Sequence, residues 1–126
     1  MLNPAAAVSL APSPSVMRLI SVMGRPVYVL HTSGERVSAI AADTGRPVGP
    51  ISGSDAATIA GAFVGAKPSQ IQGPIESDQW VVAQEYDPHR PFLRVQFEDA
   101  AGSVVYVSER SGEIVLRTTS HERRWN

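Results

Sequence analysis

The chain reads as an α+β protein built from two tandem units, each a helix followed by an antiparallel β-meander, divided as residues 1–52 and 53–126. Three observations predict this. Apolar and polar residues alternate over short runs, the period of half-buried strands. An apolar stripe with helical spacing precedes one set of those runs. The pattern also recurs. "GRPVYVLHTSGERVSAIAADTGRPV" (24–48) and "HRPFLRVQFEDAAGSVVYVSERSGEIV" (89–115) both run Arg-Pro, strand, glycine turn, strand, Thr-Gly or Ser-Gly turn, strand. Self-similarity of this kind is architectural information.

The first unit opens on "NPAAAVSLA", with Asn3 as N-cap and Pro4 at the first helical position. A strand follows over "VMRLISVM" (16–23). After Arg25-Pro26, Tyr28 and Leu30 are expected to face inward, with Val29 and an exposed His31 opposite. Gly34 and Gly45, like Gly102 and Gly112 in the second copy, supply the positive φ of tight hairpins.

The second unit begins with the helix "SDAATIAGAFV", Ser54 as N-cap and Asp55 where the helix dipole favours a carboxylate. Ala56, Ile59, Ala60 and Phe63 form its apolar stripe. "GAKPSQIQGPIES" (65–77) reads as a connector whose Ile71 and Ile75 pack on the sheet, and the aromatic and β-branched run "QWVVAQEY" (79–86) as the next strand. Trp80 is expected between helix and sheet. "YDPHRPF" (86–92) then reads as a hairpin turn, because Asp-Pro and Arg-Pro disfavour helix and punctuate loops. Leu93, Val95 and Phe97 face inward and Arg94 and Gln96 outward. Val105 and Val107 share one face, Val104 and Tyr106 the other, and Ile114 and Leu116 are placed together on the inward side.

Composition excludes several functions. A net charge of −1 gives no basic surface for nucleic acid. The absence of cysteine removes disulfides, thiol catalysis and cysteine-ligated zinc. No run of 18 apolar residues could span a membrane, and "MLNPAAAVSLAPSP" lacks the basic start and long apolar stretch of a signal peptide. Residues 55–113 hold four basic and nine acidic groups, a net −5, between segments of +2 each, and read as solvated strand faces. Both termini have the character of cuts within a longer protein.

No catalytic residue, metal ligand or cofactor site follows from the motifs. His31, His89 and His121 have no i, i+2 or i, i+4 pairing. There is no G-x-S-x-G elbow. Glu98 and Asp99 are adjacent and begin a loop, and "GAFVGA" follows no strand of a βαβ unit. The candidate binding residues are His89 and Arg90, which could take an anion or a partner carboxylate, and the outward Arg94, Gln96 and Arg110.

The strand "RPFLRVQF", the hairpin "YVSERSGEIV" and the ending "TTSHERRWN" resemble PepSY domains, specifically the tandem PepSY region of bacterial PepSY-associated transmembrane proteins. The resemblance spans about residues 14–126 and is strongest over 78–126. It implies a non-enzymatic binding or regulatory module on the periplasmic side of the inner membrane, tied to peptidase regulation or iron uptake, with a peptidase or other envelope protein as partner. It also implies a membrane helix beyond Asn126, beside which Trp125 would sit at the interface. Arg123 and Arg124 would favour the cytoplasmic side under the positive-inside rule, so that topology rests on the resemblance alone. The alternative is a ligand-binding or enzymatic cone, a helix held in a curved sheet.

Overall fold

The computed structural model describes residues 16–32 and 34–125, with the side chains of Arg124 and Trp125 excepted. The expected helix at 3–11 and the interfacial role of Trp125 lie outside what is described. The fold is α+β, with two antiparallel four-stranded sheets, each ordered as the chain runs. The first contains β1 (Val16–Val22), β2 (Arg25–His31), β3 (Ser38–Ala41) and β4 (Pro47–Val48). Helix α1 (Gly53–Val64) follows. The second sheet contains β5 (Pro68–Ile75), β6 (Phe92–Phe97), β7 (Val104–Ser108) and β8 (Ile114–Thr118), and a short α2 (Ser120–Trp125) closes the chain.

The β1–β2 hairpin turns on two residues, Met23 at φ 52° and Gly24 at φ 75°, the left-handed pair of a type I′ turn. Val22 therefore pairs with Arg25 as a hydrogen-bonded couple, and the alternation runs back through Ile20 opposite Val27 and Arg18 opposite Val29. Pro26 sits opposite Ser21, at a position whose missing N–H the β1–β2 ladder does not use. Its carbonyl accepts from Ala42 N–H at 2.9 Å.

Helix α1 is capped by Ser52, not Ser54: the Ser52 hydroxyl accepts from Asp55 N–H at 3.0 Å. Asp55 stands in the first turn as expected, and Gly65 ends the helix at φ 77°, donating to the Gly61 carbonyl. Ala56 and Ala60 are fully buried, and their small side chains let the helix lie close on β6 and β7 among Ile51, Leu93, Val95, Phe97, Val105 and Val107. Phe63 departs from the expected stripe. It is 52% exposed, with the Arg117 guanidinium 5.9 Å from its ring.

The inward face of the first sheet is the reverse of the expectation. Val27 and Val29 join Val22, Val37 and Ala39 in its core, while Tyr28 packs on the opposite side with Ala42 and Met17. All four residues 27–30 are buried, so alternation of polarity does not separate the faces. Val48 and Ile59 touch both inner cores, which makes the two sheets one packed body around α1. The two halves lie close at Gly112, where a Cβ would come within 2.8 Å of the Val22 side chain.

In the second sheet Leu93, Val95, Phe97, Val105 and Val107 face α1 as expected. Leu116 does not. The ladder shifts between Tyr106–Leu116 and Val107–Ile114, leaving Val115 as an extra residue. This bulge puts Ile114 on the inner face and Leu116 on the outer.

The larger correction concerns 68–91. The strand beside β6 is 68–75, not 79–86. Residues 76–91 instead form a strap across the outer face, including a 3-10 helix at Gln84–His89. Val81 and Phe92 are fully buried there with Val104 and Tyr106, and Trp80 packs with them on the side of the sheet away from α1. The two Arg-Pro pairs are consequently not equivalent: Arg25-Pro26 lies inside β2, whereas Arg90-Pro91 ends the strap.

Candidate functional site

The sequence-proposed residues separate into a junction between the sheets, with His89, Arg90 and Arg110, and an outer face with Arg94 and Gln96.

At the junction, Arg18 of β1 donates to both oxygens of Glu113 in the β7–β8 turn, each at 2.9 Å. Such a bidentate pair has fixed geometry as well as charge. Arg36 makes the same fork to Glu76, at 2.7 and 3.2 Å. Backbone bonds between connecting segments add to this, Val37 N–H, just before β3, to the Pro88 carbonyl of the strap at 2.7 Å, and Ile51 N–H, after β4, to the Glu109 carbonyl of the β7–β8 turn at 2.8 Å.

His89 is held inside this junction. Its Nδ1 is buried without a hydrogen-bond partner and lies 3.7 Å from Glu113 Oε1. Burial holds the imidazole below its ordinary pKa, Glu113 opposes that, and the positive charges of Arg18 and His31 add to the lowering. His31 lies on the inner-face side of β2 and is half-buried, not exposed. For Glu113, burial alone would raise the carboxyl, but the Arg18 fork outweighs it and the net shift is downward. Both groups destabilise the fold in acid. The His89 contribution is complete above the unfolded value of 6.5 and is lost as pH falls through its lower folded value. The Glu113 contribution is complete above 4.5 and disappears below that. A melting-temperature profile against pH should therefore decline in two stages. His89→Gln should remove the upper stage and keep the lower one, and an unchanged upper stage in that variant would show that another group carries it.

Arg90 holds the strap and is not presented to a ligand. It is 7% exposed. Its guanidinium donates to the Val81 carbonyl at 2.6 Å, the Ala83 carbonyl at 3.2 Å and the Asp87 carboxylate at 2.8 Å, and also to the Glu76 carbonyl. It lies 5.4 Å from the Phe92 ring. The Asp-Pro-His-Arg-Pro stretch is thus the pinned end of a long connection and not a five-residue hairpin turn.

Arg94 and Gln96 are on the outward side of β6, as expected, but both are engaged. The Arg94 Nε–H donates to the Tyr106 hydroxyl at 3.2 Å. Arg94 and Gln96 both donate to Gln72 Oε1, at 2.8 and 3.3 Å. The Tyr106 hydroxyl donates to Asp78 at 2.6 Å. Burial, reinforced by that bond to Asp78, pushes the phenol up to about 12. This network fastens the strap to the sheet and offers no nucleophile near neutral pH.

Arg110 differs from these. Its Nε–H donates to the Val37 carbonyl, and among the described residues no carboxylate pairs with it. It lines a cleft of about 260 Å³ with Val37, Ser38, Ala39, Pro47, Val48, Gly49, Pro50 and Glu109.

Sequence reasoning did not single out Arg18, Glu113, Glu76 or Asp78. Arg18 and Glu113 are 95 residues apart, and no local motif links them. Among the described residues, no three His, Asp or Glu side chains gather as a metal site, and no helix is long and apolar enough to cross a membrane. Comparison of the chain with protein-family models, curated proteins and solved structures finds no match in any of the three.

Proposed function

We propose that the protein is a non-enzymatic binding module that takes up an extended segment of a protein partner as an added strand along the outer edge of β1. The observation that supports this most is the contrast among the four sheet edges. β4 is two residues long. β5 contains Pro68, Pro74 and two register shifts. β8 is broken by the bulge at Val115. Short length, proline and bulges are the devices that discourage strand pairing. β1 has none of them over seven residues. Among the described residues only β2 pairs with it. By the hairpin alternation, the backbone groups of Met17, Leu19 and Ser21 point away from β2. Leu19 is 53% exposed and Val16 49%, apolar surface beside available donors and acceptors. Backbone bonds of this kind give affinity, and alternate side chains give specificity.

The resemblance to tandem PepSY domains supports the same reading. In it, each sheet belongs to one helix-plus-meander unit, the domain stands on the periplasmic side of the inner membrane, and the partner is a peptidase or another envelope protein. The engaged state of Arg90, Arg94 and Tyr106 weighs against the catalytic cone.

Selection of peptides from a displayed library on the purified domain tests the edge. Leu19→Pro removes one outward N–H and leaves the β1–β2 ladder intact, so selected peptides should bind about tenfold more weakly or worse. Leu19→Lys, a charge on the edge, should act in the same direction. Equal binding by both variants, or turnover of a selected peptide by the domain, would overturn the proposal.

A further inference from the structure

The cleft at Arg110 is separate from the β1 edge, and its chemistry is more restrictive. One wall is the end of the first sheet, where Ala39 and Val48 are paired and Pro47 and Pro50 flank them. The other is the β7–β8 turn, with Glu109 and Arg110. The walls meet closely at Gly49, whose φ is +94° and where a Cβ would lie 3.0 Å from the carbonyl oxygens of both Glu109 and Arg110. A side chain there would push the turn away, so this glycine sets the depth of the cleft.

The arginines of this protein are mostly neutralised. Arg18, Arg25, Arg36, Arg90 and Arg94 face Glu113, Asp43, Glu76, Asp87 and Asp78. Arg117 and Arg123 bond to hydroxyls and a carbonyl of their own unit. Arg110 is half-buried, and its bond to the Val37 carbonyl uses only Nε. Val37 is itself 1% exposed and fixed by its N–H to Pro88. The guanidinium is therefore oriented by rigid backbone while its two terminal nitrogens remain for another acceptor. That fork matches a carboxylate. Glu109 lines the same cleft; it disfavours a ligand with more than one anionic group and can accept an N–H. The remaining side chains of the lining are apolar apart from the Ser38 hydroxyl.

We infer that this cleft binds the C-terminal residue of a peptide: a free carboxylate on Arg110, an amide N–H toward Glu109, and an apolar side chain against Ala39, Pro47, Val48 and Pro50. At about 260 Å³ the space suits one residue and falls below the range of roughly 300–1,000 Å³ usual for drug-sized ligands.

The test uses N-acetyl-leucine, N-acetyl-leucinamide, acetate and the peptide acetyl-Ala-Ala-Leu, titrated into the labelled domain and followed by amide chemical shifts. N-acetyl-leucine and the peptide should both perturb residues around Ser38, Val48 and Arg110, with the peptide binding at least as well as the single residue. The amide should bind about tenfold more weakly or worse, because the guanidinium is then left without its anion. Arg110→Gln should reduce binding of the acids to the level of the amide, and Arg110→Lys should fall between. Equal binding of acid and amide to the unaltered domain overturns the inference without any variant, as do perturbations located elsewhere. If acetate competes as well as N-acetyl-leucine, the site takes a bare anion and the claim for an apolar terminal residue fails. None of these outcomes depends on the edge of β1, so the two proposals stand or fall separately.

Discussion

Arg90→Ala is expected to destabilise the protein by about 3–5 kcal/mol, although Arg90 touches no candidate ligand. The Val81, Ala83 and Glu76 carbonyls lose a charged donor together. A buried acceptor left unpaired costs about 1–3 kcal/mol, of which water can recover part for the two that are only partly buried. Asp87 needs no compensation, since its side chain is 59% exposed. The contact with the Phe92 face is lost as well. Lysine should not rescue the protein, because one ammonium cannot reproduce a fork that reaches three carbonyls and a carboxylate. Hydrogen exchange should show the loss concentrated in residues 76–91 before the sheets open. An unfolding free energy from urea titration within about 0.5 kcal/mol of the unaltered protein would mean that Val81 and Phe92 hold the strap without help from Arg90.

Leu93→Ala tests the other face of the same strand, with an expected loss of about 2–5 kcal/mol. Leu93 is 3% exposed and packs with Ala56 and Ala60 of α1 and with Val95 and Val107 of the sheet. The alanines opposite it cannot expand into the space, so the cavity should persist and the cost lie above that of transfer alone. Because Val48 and Ile59 join this core to that of the first sheet, the loss should lower both sheets in one transition. Circular dichroism and hydrogen exchange that separate the sheets in this variant would contradict the shared core.

The two substitutions also show which parts of the fold were legible. Leu93, Val95 and Phe97 alternate cleanly with Arg94 and Gln96, and β6 and β7 were placed correctly on both faces. The β2 faces were not, because Val27 to Leu30 are all apolar and all buried, and a period of two needs a polar partner to be visible. The run containing Trp80, Val81 and Val82 has strand propensity and became a strap, with Val81 beneath it. The true strand, 68–75, carries two prolines and a glycine and survives because it is an edge. Ile114 and Leu116 obey simple alternation until one extra residue, Val115, changes its phase. Among the site residues, Arg110 was identified by type and exposure. Its setting could not be, because the Val37 carbonyl that orients it comes from 73 positions away, and the opposite wall of the cleft from β3 and β4. Propensity and periodicity act locally, whereas the Arg18–Glu113 fork and the Arg110 cleft exist only after the sheets have met.

The continuity of β1 also has a cost in the company of identical molecules. A guest strand is recognised through backbone groups that every copy of this protein carries. Two copies related by a two-fold axis near Leu19 would place the exposed leucines against each other and repeat the seven-residue ladder in reverse. Repulsion does little to prevent this while Arg18, the one charge on the strand, is neutralised by Glu113. In crowded solution the guest therefore competes with the host's own kin, and apparent affinity should decline as the protein is concentrated. The acid that strips Glu113 of its charge would release Arg18 to act as a gatekeeper, so the contact that fastens the sheets together also governs how sociable the domain is.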